Sequence, residues 1–376
     1  MKPPSADSSD SVLPPQPPAS RRPLRILIIK PSSLGDIVHG LPVLAGVRAA
    51  YPDAHVAWLI GKAFAPLLER HSMIDELIIF DRKHYGRLWF DPRSALDFIG
   101  FVRELRSREF DLILDLQGLV RSSLLAWFTG ARIRVGFAQA REFAWLFYTK
   151  LVRVDASDIH AVDRNRALAR SIGLPVDPPH FPLEIRDEER VAARRLLAAA
   201  ATGENSAEGS AAGESRLPPA ATDFVAVLPG ARWATKQWTP DGFAAVLRRL
   251  LDGGRRCILL GGPDDRQLAD DLVARVGPHR ALTNLVGKTT LRELAALLEA
   301  AAHVLTVDSG PMHIAAALQK PLTALFGPTN PERTGPYLPT ARVIRNALPC
   351  MPCYRRKCPL GHHNCMRGLH AERVEL

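Results

Sequence analysis

The stretch R-I-L-I-I-K-P-S-S-L-G-D-I-V-H-G-L-P, residues 25–42, carries the strongest fold signal in this chain. Residues 26–29 form a short apolar run rich in isoleucine, typical of a strand buried on both faces of a parallel sheet. Pro31 ends this run, a Ser/Gly loop follows, and an apolar periodicity from Ile37 to Ala50 predicts a helix. Strand, loop and helix together form the unit from which open α/β sheets are built.

Asp36 lies at the start of that predicted helix, and therefore at the carboxyl edge of the first strand, where open α/β sheets bind their ligands. One interpretation is structural, because a carboxylate near a helix N-terminus caps the helix and interacts favourably with its dipole. The other is functional, with the carboxylate acting as a base or contacting a ligand. Both interpretations are compatible with this stretch.

The same alternation of apolar runs and amphipathic segments predicts an α/β protein with two Rossmann-like domains that face each other across a cleft. It predicts five strands in the first domain and four in the second. Residues 198–222, rich in Ala, Gly, Ser and Glu, predict a flexible insertion or linker. The predicted parts are a disordered Pro/Ser-rich tail (1–23), an N-terminal domain (24–185), a helix and linker (186–222), a C-terminal domain (223–346) and a Cys-rich segment (347–376).

The composition favours an anionic partner. The chain has 376 residues, 47% of them hydrophobic and 23% charged, which is enough for two domains with full cores. Its net charge of +10 suits a nucleic acid, a phosphorylated sugar or an acidic membrane surface. The basic residues are scattered rather than interleaved with aromatic ones, so nucleic-acid binding is not predicted. No apolar run approaches the ~18–20 residues that span a bilayer, and no signal core precedes residue 24, so we expect a cytoplasmic location.

Polar residues follow another predicted strand of the first domain, in D-L-Q-G-L-V-R-S, residues 115–122. Gln117 offers an amide and Arg121 a fixed cation to an anionic or hydroxyl-rich ligand. The structural alternative is a strand-to-helix turn with a solvated arginine. Arg141 and Glu142 add polar groups in the later half of the domain.

The second domain opens with V-L-P-G-A-R-W-A-T-K-Q-W-T-P, residues 227–240. A small-residue turn at Gly230, a helix N-terminus and the ammonium of Lys236 together predict a phosphate site. The sequence contains neither the Walker pattern nor G-x-G-x-x-G, which counts against a dinucleotide-dependent dehydrogenase. A second glycine turn, G-G-P-D-D at residues 261–265, adds Asp264 as a candidate contact to a nucleotide.

A further phosphate signal is V-D-S-G-P-M-H, residues 307–313, where a predicted buried strand enters a helix. Ser309 and Gly310 allow the backbone N–H groups to approach phosphate oxygens, and His313 adds a donor. A carboxylate repels phosphate, so we expect Asp308 to fix the loop or to bind a sugar hydroxyl.

Four of the five cysteines lie in C-M-P-C-Y-R-R-K-C-P-L-G-H-H-N-C, residues 350–365. Cysteines and histidines of this kind hold tetrahedral zinc, although the later spacings differ from those of a zinc ribbon. Two interpretations therefore remain: a structural zinc site, or a segment whose free thiols form a structural cluster or a redox-sensitive lid. A catalytic cysteine is not predicted, because no base accompanies it. The candidate zinc ligands are Cys350, Cys353, Cys358 and Cys365.

Taken together and in this order, these stretches resemble glycosyltransferase family 9, the bacterial lipopolysaccharide heptosyltransferases. The resemblance covers residues 25–367 and also includes A-R-E-F, H-A-V-D-R, the K-x-W at residues 236–238 and the C-terminal cysteine block. It implies the GT-B fold, with an N-terminal domain for the acceptor and a C-terminal domain for the ADP-sugar. It also implies an inverting, metal-independent transferase that needs no catalytic cofactor.

The resemblance assigns roles to individual residues. Asp36 corresponds to the proposed general base. The implied donor-binding residues are Lys236, Asp308, Ser309, Gly310 and His313. The two glycine turns of the second domain add Gly230, Arg232 and Asp264 as further donor-side candidates. The implied acceptor-binding residues are Ser33, Gln117, Arg121, Arg141 and Glu142. The chain departs from the family where some members carry a Thr pair before the lysine, and backbone N–H groups are expected to replace those hydroxyls.

The implied donor is ADP-L-glycero-D-manno-heptose, and the implied acceptor is the anionic, lipid-linked inner core of lipopolysaccharide, with Kdo or heptose receiving the sugar. We therefore expect a monomer in peripheral contact with the inner face of the inner membrane. Alternatives that remain are a non-catalytic ADP-sugar sensor, a glycosyltransferase with another sugar nucleotide, a nucleotide-dependent dehydrogenase and a zinc-dependent interaction module.

Overall fold

The computed structural model describes residues 22–87, 90–155, 160–202 and 223–376. The chain divides into two compact units, Met1–Pro182 and Leu183–Leu376. Each unit is built on its own six-stranded sheet. The predicted α/β class with two Rossmann-like domains is confirmed. The predicted tail (1–23) lies outside the described residues up to residue 21, and the predicted linker (198–222) lies outside them from residue 203 to 222. Residues 198–202, predicted as part of the linker, are helical and end the helix Asp187–Thr202, because their alanines favour helix.

The first unit has the strand order β3-β2-β1-β4-β5-β6, and all neighbouring strands are parallel. Its strands are β1 (Arg25–Ile29), β2 (His55–Gly61), β3 (Glu76–Phe80), β4 (Leu112–Asp115), β5 (Ile133–Phe137) and β6 (Lys150–Val152). Its helices are α1 (Leu34–Val38), α2 (Leu41–Ala50), α3 (Ala65–Leu68), α4 (Arg82–Tyr85), α5 (Pro92–Ser107), α6 (Val120–Phe128) and α7 (Ala161–Arg170). Residues 26–29 of β1 are fully buried, as expected of a central parallel strand.

The second unit repeats this plan with the order β12-β11-β10-β7-β8-β9, again entirely parallel. Its strands are β7 (Phe224–Leu228), β8 (Arg256–Leu259), β9 (Leu282–Asn284), β10 (His303–Val307), β11 (Leu322–Phe326) and β12 (Arg342–Arg345). Its helices are α8 (Asp187–Thr202), α9 (Pro240–Asp252), α10 (Arg266–Val276), α11 (Leu291–Ala300), α12 (Gly310–Ala317), α13 (Pro331–Thr334) and α14 (Asn364–Arg367).

The strand order places a crevice at a defined point of each sheet. The chain runs outward from β1 to β3 and then returns to the other side of β1 with β4; the second unit does the same around β7 and β10. A doubly wound sheet binds ligands outside the carboxyl ends of the strands at this switch point. In the first unit, these ends carry the loops to Asp36 and Gln117. In the second unit, they carry Gly230 and the turn that begins at Asp308.

Two further features of the sequence prediction needed correction. The helix predicted over Ile37–Ala50 is two helices, α1 and α2, separated around Gly40. A Cβ on Gly40 would lie 3.0 Å from the Trp58 ring, so this close approach excludes a larger side chain without rearrangement. The three strands that were not predicted, β6, β9 and β12, are short and lie at sheet edges. Edge strands carry charged and polar residues and therefore lack the apolar run on which the prediction depended.

The C-terminal residues belong to the core of the second unit. Cys365, Met366, Leu369 and Val374 are buried in the same hydrophobic cluster as strands β7, β8 and β10. Arg249 of α9 also donates to the carbonyl of Ala371. Among the described residues, no helix is both long and apolar enough to cross a bilayer.

Helix α8 is attached to the second unit by a buried ion pair. Glu189 accepts hydrogen bonds from Arg292 of α11 at 2.5 and 2.6 Å, and from Arg186 at 2.6 and 2.8 Å. The exposed fractions of Glu189 and Arg292 are only 5% and 8%. Burial raises the pKa of Glu189, but the hydrogen bonds from Arg292 and Arg186 outweigh this effect and hold the pKa below its usual value.

Replacing Glu189 with alanine is expected to lower the free energy of unfolding of the second unit by about 3–5 kcal/mol, because it leaves Arg292 buried without its carboxylate. Urea unfolding followed by circular dichroism measures this change. Glu188→Ala is the matched control, since its carboxylate pairs with Arg186 at the surface and should contribute at most about 1 kcal/mol. Equal effects of the two substitutions would contradict the prediction. Because the folded-state pKa of Glu189 is depressed, its stabilisation is present at neutral pH and is lost as the pH falls through that pKa.

Candidate active site

The loop between β1 and α1 presents Asp36 at the switch point of the first unit. One carboxylate oxygen, Oδ2, accepts hydrogen bonds from the Ser33 backbone N–H and from Ser33 Oγ, both at 2.8 Å. The other oxygen, Oδ1, lies 3.9 Å from Lys30 Nζ. The Asp36 side chain is 40% exposed. The carboxylate is therefore held in one orientation while remaining accessible to a substrate.

Lys30 is a charged residue of this site that the sequence analysis did not assign. Its side chain is buried, and Nζ donates to the Leu116 carbonyl at 2.6 Å. Burial lowers the pKa of Lys30, the carboxylates of Asp36 and Asp115 act in the opposite direction, and Arg164 adds to the lowering. Lys30 thereby joins the Asp36 loop to the turn after β4. The signal available in the sequence was a lysine directly after the apolar run of residues 26–29.

The turn after β4 is organised by the buried carboxylate of Asp115. It accepts hydrogen bonds from the backbone N–H groups of Gln117 at 2.8 Å and Gly118 at 3.2 Å, and from the Tyr148 hydroxyl at 2.8 Å. Burial raises the pKa of Asp115, although these hydrogen bonds counteract it. Gly118 has φ +66°, a left-handed conformation that glycine adopts without strain. Within the described residues, Gln117 Oε1 is buried and has no hydrogen-bond partner.

Four of the five predicted acceptor-side residues, namely Gln117, Arg121, Arg141 and Glu142, lie at this turn, whereas Ser33 lies beside Asp36. The backbone N–H of Arg141 donates to the Gly118 carbonyl at 3.2 Å. The Glu142 carboxylate accepts from the backbone N–H of Val120 at 3.4 Å. Arg121 is exposed in the first turn of α6, and the side chains of Arg141 and Glu142 are exposed as well. The structure thus brings together residues 115–122 and 141–142, which are separate in the sequence.

The second unit contains a fixed ammonium at its own switch point. Lys236 Nζ lies 2.6 Å from Asp308 Oδ2, and Thr329 Oγ1 donates to the same oxygen at 2.5 Å. The Asp308 side chain is only 5% exposed, whereas that of Lys236 is 18% exposed. Asp308 therefore orients Lys236, and its predicted role in fixing the loop or binding a sugar hydroxyl stays a prediction. Thr329, on the turn after β11, is a residue that sequence reasoning did not assign.

Gly230 leaves room for a carboxylate from a neighbouring turn. A Cβ at this position would lie 2.1 Å from Asp265 Oδ1, so no side chain fits there without rearrangement. Asp265 Oδ2 accepts from the Gly262 backbone N–H at 3.0 Å, and burial raises the pKa of Asp265. The neighbouring Asp264, the predicted contact, is exposed, and so is Arg232. The carboxylate against the glycine turn is thus one residue beyond the one that the sequence suggested.

Helix α12 begins directly after this ion pair. Ser309 precedes the helix in an extended conformation, and its Oγ lies 3.3 Å from Thr306 Oγ1. Gly310 is the first helical residue, and His313 is buried in the first turn. The backbone N–H groups of a first helical turn have no partner within the helix and attract anions. The predicted phosphate signals therefore lie next to Lys236.

The four clustered cysteines line one cavity together with His362 and His363. All four are free thiols, Cys365 is buried, and Cys358 Sγ accepts a hydrogen bond from the backbone N–H of His363 at 3.4 Å. As the side chains stand, no three His, Cys, Asp or Glu residues of the described chain are arranged to hold a metal ion. The structural zinc stays a prediction. Measuring the zinc content of the purified protein tests it.

A family model described as glycosyltransferase family 9 (heptosyltransferase) matches residues 99–364. The chain belongs to glycosyltransferase family 9. Among this family's characterised members, lipopolysaccharide heptosyltransferase 1 of Pseudomonas aeruginosa is 30% identical over 343 residues, covering 89% of this chain and 87% of the relative. Lipopolysaccharide heptosyltransferase 2 of Escherichia coli is 27% identical, covering 93% of this chain and 96% of the relative. The predicted family and the predicted transferase activity are confirmed.

Solved structures of family 9 proteins share the fold. The E. coli heptosyltransferase WaaC, solved with ADP, superimposes with a TM-score of 0.72 at 26% identity, covering 93% of this chain and 98% of that one. A family 9 glycosyltransferase from Veillonella parvula gives a TM-score of 0.70 at 25% identity, covering 85% of each chain. These matches confirm the predicted GT-B fold.

Proposed function

We propose that this family 9 enzyme transfers heptose from ADP-L-glycero-D-manno-heptose to the inner core of lipopolysaccharide, onto Kdo or onto a heptose of the lipid A precursor. The observation that carries the proposal is the Lys236 ammonium, which Asp308 holds beside the N-terminus of α12. This combination suits the diphosphate of a nucleotide-sugar. The names of both relatives, which are lipopolysaccharide heptosyltransferases, and the ADP bound to WaaC support the same donor class.

On the donor side, the chemical task is to stabilise a leaving diphosphate. As the bond between the anomeric carbon and ADP breaks, negative charge grows on the phosphate oxygens. Lys236 and the backbone N–H groups of Ser309 and Gly310 are preorganised to stabilise that charge, which is an effective mode of catalysis. Because one fixed ammonium and the backbone N–H dipoles stabilise that charge, the proposed transfer needs no divalent metal ion.

On the acceptor side, Asp36 is proposed to be the general base. Its Oδ2 is occupied by Ser33, so Oδ1 is the oxygen proposed to take the proton from the attacking hydroxyl. The new bond forms between that acceptor oxygen and the anomeric carbon as ADP departs, with inversion and an oxocarbenium-like transition state. Gln117 Oε1, buried and without a partner among the described residues, suits a second acceptor hydroxyl. The exposed Arg121 and Arg141 suit anionic groups of the lipopolysaccharide inner core.

The acceptor's chemistry extends the proposal to the membrane. A lipid-linked acceptor requires a protein that works at the bilayer surface, and a net charge of +10 favours an anionic one. We therefore propose that a monomer makes peripheral contact with the inner face of the inner membrane. Flotation with anionic and neutral vesicles, together with light scattering, measures both properties.

The test is incubation of the purified protein with ADP-heptose and a set of truncated lipopolysaccharide acceptors, followed by mass spectrometry. We expect one acceptor to gain the mass of one heptose with release of an equal amount of ADP, and EDTA to leave the rate unchanged. The acceptor that gains mass identifies the receiving sugar. Faster transfer from another sugar nucleotide, or ADP-heptose binding without ADP release, would reject the proposal. Loss of transfer in EDTA while the protein stays folded would reject its metal independence.

A further inference from the structure

The stretch Arg355–Lys357 lies inside the cysteine-rich segment and carries three consecutive positive charges that the proposed function does not use. Its surroundings connect it to the proposed donor-binding residues of the second unit. Thr235 Oγ1 donates to the Arg355 carbonyl at 2.8 Å, and His363 Nε2 donates to the Thr235 carbonyl at 2.8 Å. Thr235 directly precedes Lys236 in the chain and is buried. The segment is therefore attached to the loop that presents the phosphate-binding lysine.

A second set of contacts attaches the segment to the turn after β11, which binds Asp308, the partner of Lys236. The backbone N–H of Tyr354 donates to the Pro328 carbonyl at 2.9 Å, one residue before the Thr329 that binds Asp308. Gly327 adjoins Met366, and a Cβ on this glycine would lie 2.6 Å from the Met366 sulfur. These contacts hold residues 354–366 against both loops that position Lys236 and Asp308.

Within this arrangement, Arg356 and Lys236 share one aromatic ring. The Arg356 Cζ lies 5.4 Å and the Lys236 Nζ 4.9 Å from the centre of the Trp233 indole, both within the range of a cation–π contact. Asp308 compensates the charge of Lys236. Arg356 is exposed, and within the described part of the chain no carboxylate forms an ion pair with it.

Because Asp308 already compensates Lys236, the positive charge of Arg356 on the same indole remains available to an anion that binds beside Lys236. A diphosphate offers several oxygens, and a guanidinium binds phosphate through two parallel N–H···O bonds, which an ammonium cannot do. Lys236 and Arg356 together thus offer hydrogen-bond donors to a ligand with several anionic oxygens.

We propose that Arg356 is the second cation of the donor diphosphate site and that the cysteine-rich segment supplies it. The inference rests on the proposed function in that the ligand is the diphosphate of a nucleotide-sugar. It extends that function by giving the segment a task in donor binding, independent of whether its cysteines bind a metal.

The test compares the full-length protein with Arg356→Gln by calorimetric titration of ADP, AMP, adenosine and inorganic pyrophosphate. We expect the substitution to raise the Kd of ADP about tenfold, the range of one charge-assisted contact. The Kd of pyrophosphate should rise similarly, that of AMP less, and that of adenosine not at all. Arg355→Gln and Lys357→Gln are matched controls, because they remove the same charge from neighbouring exposed positions, and each should stay within about twofold of the wild type. Arg356→Lys should recover only part of the affinity.

An unchanged ADP affinity in Arg356→Gln, or equal losses in all three neutral variants, would overturn the inference while leaving the proposed function intact. Titration with pyrophosphate further distinguishes a failure of this inference from a failure of the proposed function. If the wild type binds pyrophosphate but not ADP, the proposed donor is wrong and Arg356 is judged on pyrophosphate alone. If it binds neither, both proposals are overturned.

Discussion

Asp36→Asn is expected to lower kcat for heptose transfer by about 10²–10⁴-fold, the usual contribution of a positioned general base. The amide keeps the shape of the side chain and can still accept from Ser33, but it cannot take the proton of the attacking hydroxyl. The KM for ADP-heptose should change little, because the donor is proposed to bind to groups of the second unit. Initial rates of ADP release with saturating donor and acceptor measure the effect.

Asp53→Asn is the matched control for this substitution, since it removes an exposed carboxylate of the same unit in the turn between α2 and β2. We expect wild-type rates from it. Ser33→Ala offers an intermediate case, because it removes one of the two hydrogen bonds that orient Asp36 while keeping the carboxylate. Turnover by Asp36→Asn close to that of the wild type, at saturating substrates, would show that this carboxylate is not the base.

Lys236→Gln is expected to reduce kcat/KM for ADP-heptose by about 10²–10³-fold, as loss of one preorganised group facing a developing negative charge does in other enzymes. The reason is that Lys236 is proposed to contact the diphosphate both before and after the bond to the sugar breaks. The affinity for ADP should fall as well, which calorimetric titration measures independently of turnover. Lys288→Gln, which removes an exposed lysine elsewhere in the second unit, is the matched control.

The same substitution has a structural consequence that can be separated from the catalytic one. Without the ammonium, the buried Asp308 carboxylate keeps the hydrogen bond from Thr329 but loses its cationic partner, Lys236. Lys236→Gln should therefore also lower the Tm. The double variant Lys236→Gln/Asp308→Asn removes the uncompensated charge and should recover much of the Tm without recovering donor affinity. If activity returned together with the Tm, Lys236 would have a structural role only.

The sequence alone predicted the architecture and the positions of two charged residues of the proposed sites, Asp36 and Asp308. Continuous apolar runs such as residues 26–29 and 224–228 predict buried parallel strands, because a strand covered on both faces must be apolar along its whole length. In a doubly wound sheet, ligand-binding and catalytic residues lie directly after such strands. Asp36 and the residues around Asp308 were therefore recognisable from their positions in the pattern. The family motifs then suggested their roles.

The partners of these charges were decided by the tertiary structure. Lys30 meets the Leu116 carbonyl, Tyr148 meets Asp115, and Asp308 meets both Lys236 and Thr329, across separations that no local periodicity encodes. The same holds for Arg356, whose approach to Trp233 depends on the folding of the cysteine-rich segment against the Lys236 loop. Local sequence determines strands and turns because backbone conformation and burial are set by near neighbours. The orientation of a buried charge is set by whichever distant group compensates it, and only the packed chain brings that group within hydrogen-bonding distance.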